Sequence, residues 1–166
     1  MVDGQTLFRE APNLKGLAIK FPPKPHDTEA SLAQIPETLA KISTLRSIAI
    51  EDVDGWALGP LVNSLAQNTE LSNIQLHSSF LECEIDFFRK LYSFKCLRKI
   101  SLVVRWSGAR VIHTLYEAII VGIIQAEWPN LRSVCIPRQN PAMLSSLHFT
   151  CQKNDVDLQF SDILLL

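Results

Sequence analysis

One short phrase recurs five times along this chain of 166 residues. Each copy has a leucine, two variable residues, an aliphatic residue, one variable residue and a second aliphatic residue. Because the two aliphatic residues lie two positions apart, they point to the same face of a short β-strand. Regular recurrence of such a unit is typical of repeat architectures. The copies are Leu14, Leu17 and Ile19; Leu45, Ile48 and Ile50; Leu71, Ile74 and Leu76; Leu97, Ile100 and Leu102; and Leu131, Val134 and Ile136.

The segments between the copies carry apolar residues at helical spacing. The pattern predicts helices over residues 28–42, 54–67, 82–94, 107–128 and 141–153, followed by a short strand over residues 156–160. Parallel strands need a crossover of about a dozen residues, which each helix supplies. The sequence therefore predicts a single α/β domain over residues 1–166, with about five to six strand–helix units. A dinucleotide-binding sheet would require a glycine-rich turn after a strand, and none is present.

The repeated phrase, followed each time by a helix, resembles a leucine-rich repeat. The resemblance covers nearly the whole chain and is to the long, irregular repeats of ribonuclease-inhibitor-like proteins and of the tails of F-box proteins. It implies a solenoid whose parallel strands line a concave surface. The family places asparagine or cysteine eight residues after the first leucine, whereas this chain has Pro22, Val53, Ser79, Arg105 and Gln139. The turns after the strands must therefore be held differently.

An F-box is the usual companion of such repeats, and we expect none in this chain. Residues 35–42 faintly resemble the start of an F-box, but they run directly into the second strand phrase. The chain begins almost inside a repeat and ends on the apolar residues 163–166. Two interpretations follow: the C-terminal part of a longer array, or a short protein that covers its ends by self-association.

Composition excludes several classes of function. The formal net charge of −1 gives no overall attraction to nucleic acid or to an anionic membrane. The longest charge-free apolar stretch, residues 118–126, is too short to span a bilayer. No signal peptide opens the chain, which favours a cytoplasmic or nuclear location. We expect neither a metal site nor a cofactor, because no paired-cysteine spacing joins Cys83, Cys96, Cys135 and Cys151.

The strand residues that alternate with the core positions would line the concave surface in three rows. Small and polar residues fill these rows, as expected of a wetted surface that a protein partner covers. One row places Lys20, Glu51 and His77 on adjacent strands, so Glu51 can form an ion pair with either of two basic neighbours. This row is either a solvated ion ladder or a pH-sensitive contact. The candidate partner-binding residues are Lys20, Glu51, Asn73, Gln75, His77, Lys99 and Ser101.

These observations favour a non-catalytic scaffold that binds a protein partner on its concave sheet. No nucleophile stands beside a base at a catalytic spacing, so we predict no enzymatic activity. The F-box resemblance further implies the substrate-recognition part of a ubiquitin ligase receptor. The alternative is a structural module that forms a homo-oligomer through uncapped solenoid ends.

Overall fold

The computed structural model describes residues 13–20, 39, 42–51, 61–66, 68–80, 89–106, 109–138 and 141–161. Within this part of the chain, six strands form one sheet. The strands are β1 (Gly16–Lys20), β2 (Ser47–Glu51), β3 (Asn73–Phe80), β4 (Lys99–Trp106), β5 (Ser133–Pro137) and β6 (Asp157–Ser161). Helix α1 (Ala109–Ile124) connects β4 to β5, and helix α2 (Pro141–Lys153) connects β5 to β6. Residues 61–65 are also helical, and a 3₁₀ turn covers Leu91–Ser93 before β4.

All neighbouring strands are parallel, and their order in the sheet follows their order in the chain. Crossovers between parallel strands are right-handed in nearly all proteins. When each new strand is added on the same side of the last, right-handed crossovers all pass over one face of the sheet. A doubly wound sheet reverses its strand order and is covered on both faces. The predicted α/β fold with a parallel sheet is confirmed, and its strand order favours helices on one face.

The hydrophobic core fills the space between the sheet and the helices. Ile48 and Ile50 of β2 are 1% and 0% exposed, while the residues on either side of them are only partly buried. The aliphatic positions of the next three strands are buried in the same way, and the residues that alternate with them are at least partly exposed except Ser101 and Pro137. The helical segments contribute Leu61, Leu65, Ile112, Leu115, Tyr116, Leu147 and Cys151 to the same cluster. In the outer strand β1, by contrast, Leu17 and Ile19 are only half-buried.

A tight turn of constant geometry precedes each of the four inner strands. In each turn the backbone N–H of the first leucine of the phrase donates to the carbonyl three residues earlier. The bonds are Leu45 to Ile42 (3.4 Å), Leu71 to Asn68 (3.3 Å), Leu97 to Phe94 (3.2 Å) and Leu131 to Trp128 (3.1 Å). These leucines are 0–4% exposed, so the first position of the phrase anchors the turn in the core.

The structure corrects some of the predicted element boundaries. Helix α2 has the predicted bounds, β6 begins one residue later than predicted, and Trp106 is part of β4. Helix α1 is shorter than the predicted 107–128, because the backbone turns at Ala126, which has a φ of 53°. The N–H groups of Ala126 and Glu127 donate to the carbonyls of Ile123 and Gly122, which is a Schellman motif.

The other predicted helices lie mostly outside the described residues. Of them, residue 39, residues 61–65 and residues 89–90 are helical, whereas Ile42 is not. The predictions about the chain ends and about residues 35–38 concern positions outside the described residues as well. None of the helices in the described ranges is long and apolar enough to cross a membrane.

The cysteines occupy different environments. Cys151 of α2 is 1% exposed and packs in the core, as expected of a small apolar residue. Cys96, in the turn before β4, is exposed, although free cysteines are commonly buried. Cys135 of β5 is partly buried, and Cys83 lies outside the described residues. Burial raises the pKa of the Cys151 thiol to about 11.

We expect Cys96, but not Cys151, to react with a thiol reagent in the folded protein at mildly alkaline pH. The thiolate is the reacting species, and the folded Cys151 thiol stays protonated until the pH approaches about 11. Mass spectrometry of the labelled peptides, with Cys96→Ser and Cys151→Ala as controls, measures the site of reaction. Labelling of Cys151 at the rate of Cys96 without denaturant would contradict its burial.

Candidate functional site

The residues that alternate with the core positions form the second face of the sheet, which we call the open face. The strand register arranges them in three rows. The first row is Gly16, Ser47, Asn73, Lys99, Ser133 and Asp157. The second row is Ala18, Ala49, Gln75, Ser101, Cys135 and Gln159. The third row is Lys20, Glu51, His77, Val103, Pro137 and Ser161. The register thus places the predicted surface residues side by side.

The open face differs from the core face in size and polarity. On β1 and β2 it carries Gly16, Ala18, Ser47 and Ala49, all small and at least partly exposed. Asn73, Gln75 and Lys99, on the central strands, are exposed polar residues. The open face therefore has short side chains on β1 and β2 and hydrogen-bonding side chains on β3 and β4.

The polar centre is formed by two neighbouring strands. Asn73 of β3 is in register with Lys99 of β4, and Gln75 is in register with Ser101. Neighbouring strands lie about 4.8 Å apart, so these side chains are within reach of one ligand group. Neither Asn73 nor Lys99 makes a side-chain hydrogen bond or ion pair to any described residue. The two side chains thus present an unused amide and an unused ammonium group to solvent.

The acidic and basic residues of the third row pair only in part. Of the two basic neighbours available to Glu51, the structure shows Lys20: its Nζ lies 3.9 Å from Glu51 Oε2. Both side chains are largely exposed, and such pairs contribute little to stability. His77 instead contacts Gln75, with 2.8 Å between their Nε2 atoms. The amide nitrogen of Gln75 is a hydrogen-bond donor, so the imidazole Nε2 of His77 is the acceptor in this contact.

Ser101 is the one candidate that offers little contact surface. It is 7% exposed, although its row faces away from the core. Gln75 and Cys135 occupy the adjacent positions of the same row, and a short side chain between longer neighbours is shielded by them. Ser101 therefore lines the floor of the open face rather than its contact surface.

Sequence reasoning assigned no role to the residue that directly follows the first leucine of each phrase. This residue is Lys15, Arg46, Ser72, Arg98 or Arg132, so four of the five phrases have a basic residue there. All four basic residues are exposed, at the edge where the strands enter the sheet. The recurrence is visible in the sequence once the phrases are aligned.

Comparison of the chain with models of known protein families and with curated proteins finds no match. The leucine-rich-repeat relationship therefore stays a prediction. The geometry of the sheet is the basis for the function proposed below.

Proposed function

We propose that this chain is a non-catalytic interaction module that holds a protein partner against the open face of its sheet. The observation that carries the proposal is the difference between the two faces. One face is closed by a continuous aliphatic core, whereas the other presents small and polar side chains to solvent across parallel strands. Rigid strands hold these groups at fixed spacing, which reduces the entropy lost on binding.

Each half of the open face suits a different part of a protein surface. The small residues of β1 and β2 allow a close approach by a partner's backbone or apolar side chains. The amides of Asn73 and Gln75 and the ammonium group of Lys99 supply donors and acceptors beside them. Interfaces of this kind owe their affinity to a few well-placed contacts rather than to total area.

The proposal includes a solenoid of leucine-rich repeats. The recurring turn and the chain-ordered parallel sheet support it, because they are the features that a stack of equivalent strand–helix units would share. The role that the resemblance implies is the substrate-recognition part of an F-box-type ubiquitin ligase receptor, which binds but does not modify its substrate.

The test is capture of partners from a lysate of the source cells, followed by titration of the purified partner. Wild type is compared with Asn73→Ala/Gln75→Ala and with the control His148→Ala/Gln152→Ala, which alters exposed residues of α2. All of these side chains are exposed, so each substitution should change stability by no more than about 0.5 kcal/mol. We expect the open-face variant to bind the purified partner at least about tenfold more weakly, and the α2 variant to bind as wild type does.

Binding that survives in the open-face variant but is lost in the α2 variant would contradict the proposal. Thermal unfolding of each variant shows whether a loss of binding reflects a loss of folding. Adding Lys99→Ala to the open-face variant extends the test to all three members of the polar centre.

A second candidate function is self-association through the sides of the sheet. The observation that favours it is that β1 and β6, the outer strands of the described sheet, each pair with only one neighbour. Outer strands have free backbone groups that a second copy can bind. Sedimentation velocity over a wide range of protein concentrations tests this candidate, and a strict monomer throughout would exclude it.

A further inference from the structure

Basic residues recur at one structural position along the edge where the strands enter the sheet. The backbone carbonyls of Lys15, Arg46 and Arg98 each accept two backbone hydrogen bonds at 2.8–3.0 Å, from the first residue of a following strand and from the residue just before it. Arg132 occupies the same position before β5, and its carbonyl accepts from Asp157 at 2.8 Å. We call Lys15, Arg46, Arg98 and Arg132 the basic row. The carbonyl groups at these positions belong to one hydrogen-bond ladder, so the side chains of the basic row leave the sheet along one edge, with Ser72 at the equivalent position before β3.

Among the described residues, only one member of the basic row has an acidic partner. Nε and Nη2 of Arg46 donate to Oε2 of Glu70 at 3.1 and 3.0 Å. Within the described part of the chain, Lys15, Arg98 and Arg132 make no ion pair and no side-chain hydrogen bond. Lys99 of the open face follows Arg98 directly and is also unpaired. Three unpaired cations, Arg98, Lys99 and Arg132, thus lie on two adjacent strands.

This arrangement costs stability in the isolated protein. Arg98 and Arg132 are on neighbouring strands about 4.8 Å apart, and like charges on facing positions of a sheet repel one another. Asp157, the acidic residue of the first row, accepts a hydrogen bond from Gln159 through its Oδ2, at 2.6 Å. An external anion relieves the repulsion in a way that the described acidic residues do not.

We propose that the basic row and Lys99 bind an acidic segment of the protein partner, carrying carboxylate groups and running across the strands. This inference rests on the proposed function, which places that partner on the adjoining open face. Arginine binds carboxylates through two parallel N–H donors, so Arg98 and Arg132 supply direction as well as charge. Five strands span about 19 Å, which an extended segment of about six residues covers.

The charge of the whole chain favours an acidic protein segment over nucleic acid. The formal net charge is −1, and acidic residues outnumber basic ones by one. A nucleic-acid-binding domain normally carries a clear excess of positive charge. Here the row of recurring basic residues lies along one edge of the sheet, which matches a short acidic stretch rather than a long polyanion.

The test measures fluorescence anisotropy of a labelled peptide of alternating glutamate and serine. A glutamine–serine peptide and a single-stranded DNA of equal charge serve as comparison probes. Wild type is compared with Arg98→Gln/Arg132→Gln and with Lys90→Gln/Lys153→Gln, which removes the same charge from exposed sites outside the row. We expect the row variant to bind the glutamate peptide about tenfold more weakly than wild type, and the control variant to stay within about twofold.

Salt supplies an independent readout, since binding through exposed charges weakens as ionic strength rises from low to physiological values. Equal weakening by the two charge variants would overturn the proposal, because affinity would then follow net charge alone. Absence of saturable binding, or tighter binding of DNA than of the glutamate peptide, would overturn it as well.

The same variants separate this inference from the proposed function. If Asn73→Ala/Gln75→Ala loses the captured partner while Arg98→Gln/Arg132→Gln keeps both partner and peptide, the open face is the binding surface and the basic row is not. If the row variant alone loses the peptide and the partner, the basic row stands and the open-face assignment fails.

Discussion

Replacing Gly122 of α1 with alanine is expected to lower the free energy of unfolding by about 2 kcal/mol, although alanine is the better helix former. A Cβ atom at this position would lie 2.5 Å from Cζ3 and 2.9 Å from Cη2 of Trp128, and 2.9 Å from Cε1 of Tyr92. Real Cβ atoms essentially never approach other heavy atoms below 3.0 Å, so at least one ring must move.

Neither ring can move without breaking other contacts. Trp128 is 4% exposed, and its Nε1 donates to the carbonyl of Leu91 at 2.8 Å. The hydroxyl of Tyr92 donates to the carbonyl of Ala118 at 2.6 Å. The two rings meet edge to face, with their centroids 5.0 Å apart. Overpacking typically costs about 1–3 kcal/mol, and we expect the upper end of this range because two hydrogen-bonded rings meet the added atom. Subtracting the gain of about 1 kcal/mol in helix propensity leaves a net loss of about 2 kcal/mol.

Urea denaturation monitored by circular dichroism measures the effect, and Gly16→Ala is the matched control. Gly16 lies on the open face, where an added Cβ would meet no atom within 4 Å. We expect this control to change stability by no more than about 0.5 kcal/mol. A Gly122→Ala protein as stable as wild type would show that the Trp128 ring leaves more space beside Gly122 than the structure shows. In a double-mutant cycle, Trp128→Phe should destabilise the Gly122→Ala protein less than it destabilises wild type, because the smaller ring leaves room for the methyl group.

The strands and the rows of the open face were predictable because a strand has a side-chain period of two. Once Leu71, Ile74 and Leu76 are assigned to the core, Asn73 and Gln75 must point the other way, and the register places them beside Lys99 and Ser101. Parallel pairing followed from the length of the connections. Helix α2 was predictable as well, because Pro141 marks its first turn.

The end of α1 was not predictable from residue type, whereas α2 ends where the sequence predicts. Two residues after the end of each helix lies a residue with positive φ, and in neither case is that residue glycine: Ala126 has a φ of 53° and Asp155 a φ of 55°. The usual glycine signal for a helix end is therefore missing. What stops α1 is tertiary packing, since Trp128 must turn back into the core to reach Leu91 and Tyr92.

Side-chain contacts within the sheet could not be predicted from the sequence either. The burial of Ser101 depends on the side chains flanking it on two other strands, and the sequence phrase carries no information about that shielding. The sequence offers His77 two neighbouring partners, Gln75 and Glu51, and residue spacing does not show which of them it contacts. In the structure it contacts Gln75. The candidate site was thus predictable as a set of positions, whereas its internal hydrogen bonds were not.

Replacing Asn68 with aspartate is expected to lower the free energy of unfolding by about 3–5 kcal/mol at neutral pH. Asn68 is 2% exposed and stands in the turn before β3, where the corresponding turns have Ile42, Phe94 and Trp128. Its Nδ2 donates to the carbonyl of Leu39 at 3.2 Å, while its Oδ1 is buried without a hydrogen-bond partner. The amide thus links one phrase to the previous helical segment and already carries one unpaired acceptor.

Aspartate would replace the donor with a second acceptor and bring a charge into the core. An ionised carboxylate facing the Leu39 carbonyl is both desolvated and repelled, so we expect the pKa of the new carboxyl to rise above its unfolded value of about 3.9. Protonated aspartate regains an O–H donor for that carbonyl. The stability contributed by the protonated form is therefore fully present below about pH 3.9 and lost as the pH rises through the folded pKa.

The expected signature is a stability difference between wild type and Asn68→Asp that shrinks as the pH is lowered from 7 toward about 4. Asn68→Ala is the matched variant without a titrating group: it loses the bond to Leu39 and some packing, at a cost of about 2 kcal/mol that should not depend on pH. Denaturant unfolding of the three proteins across this pH range measures both effects. If Asn68→Asp loses no more stability than Asn68→Ala and shows no pH dependence relative to wild type, water reaches the turn before β3. The unpaired Oδ1 of Asn68 would then be solvated rather than buried.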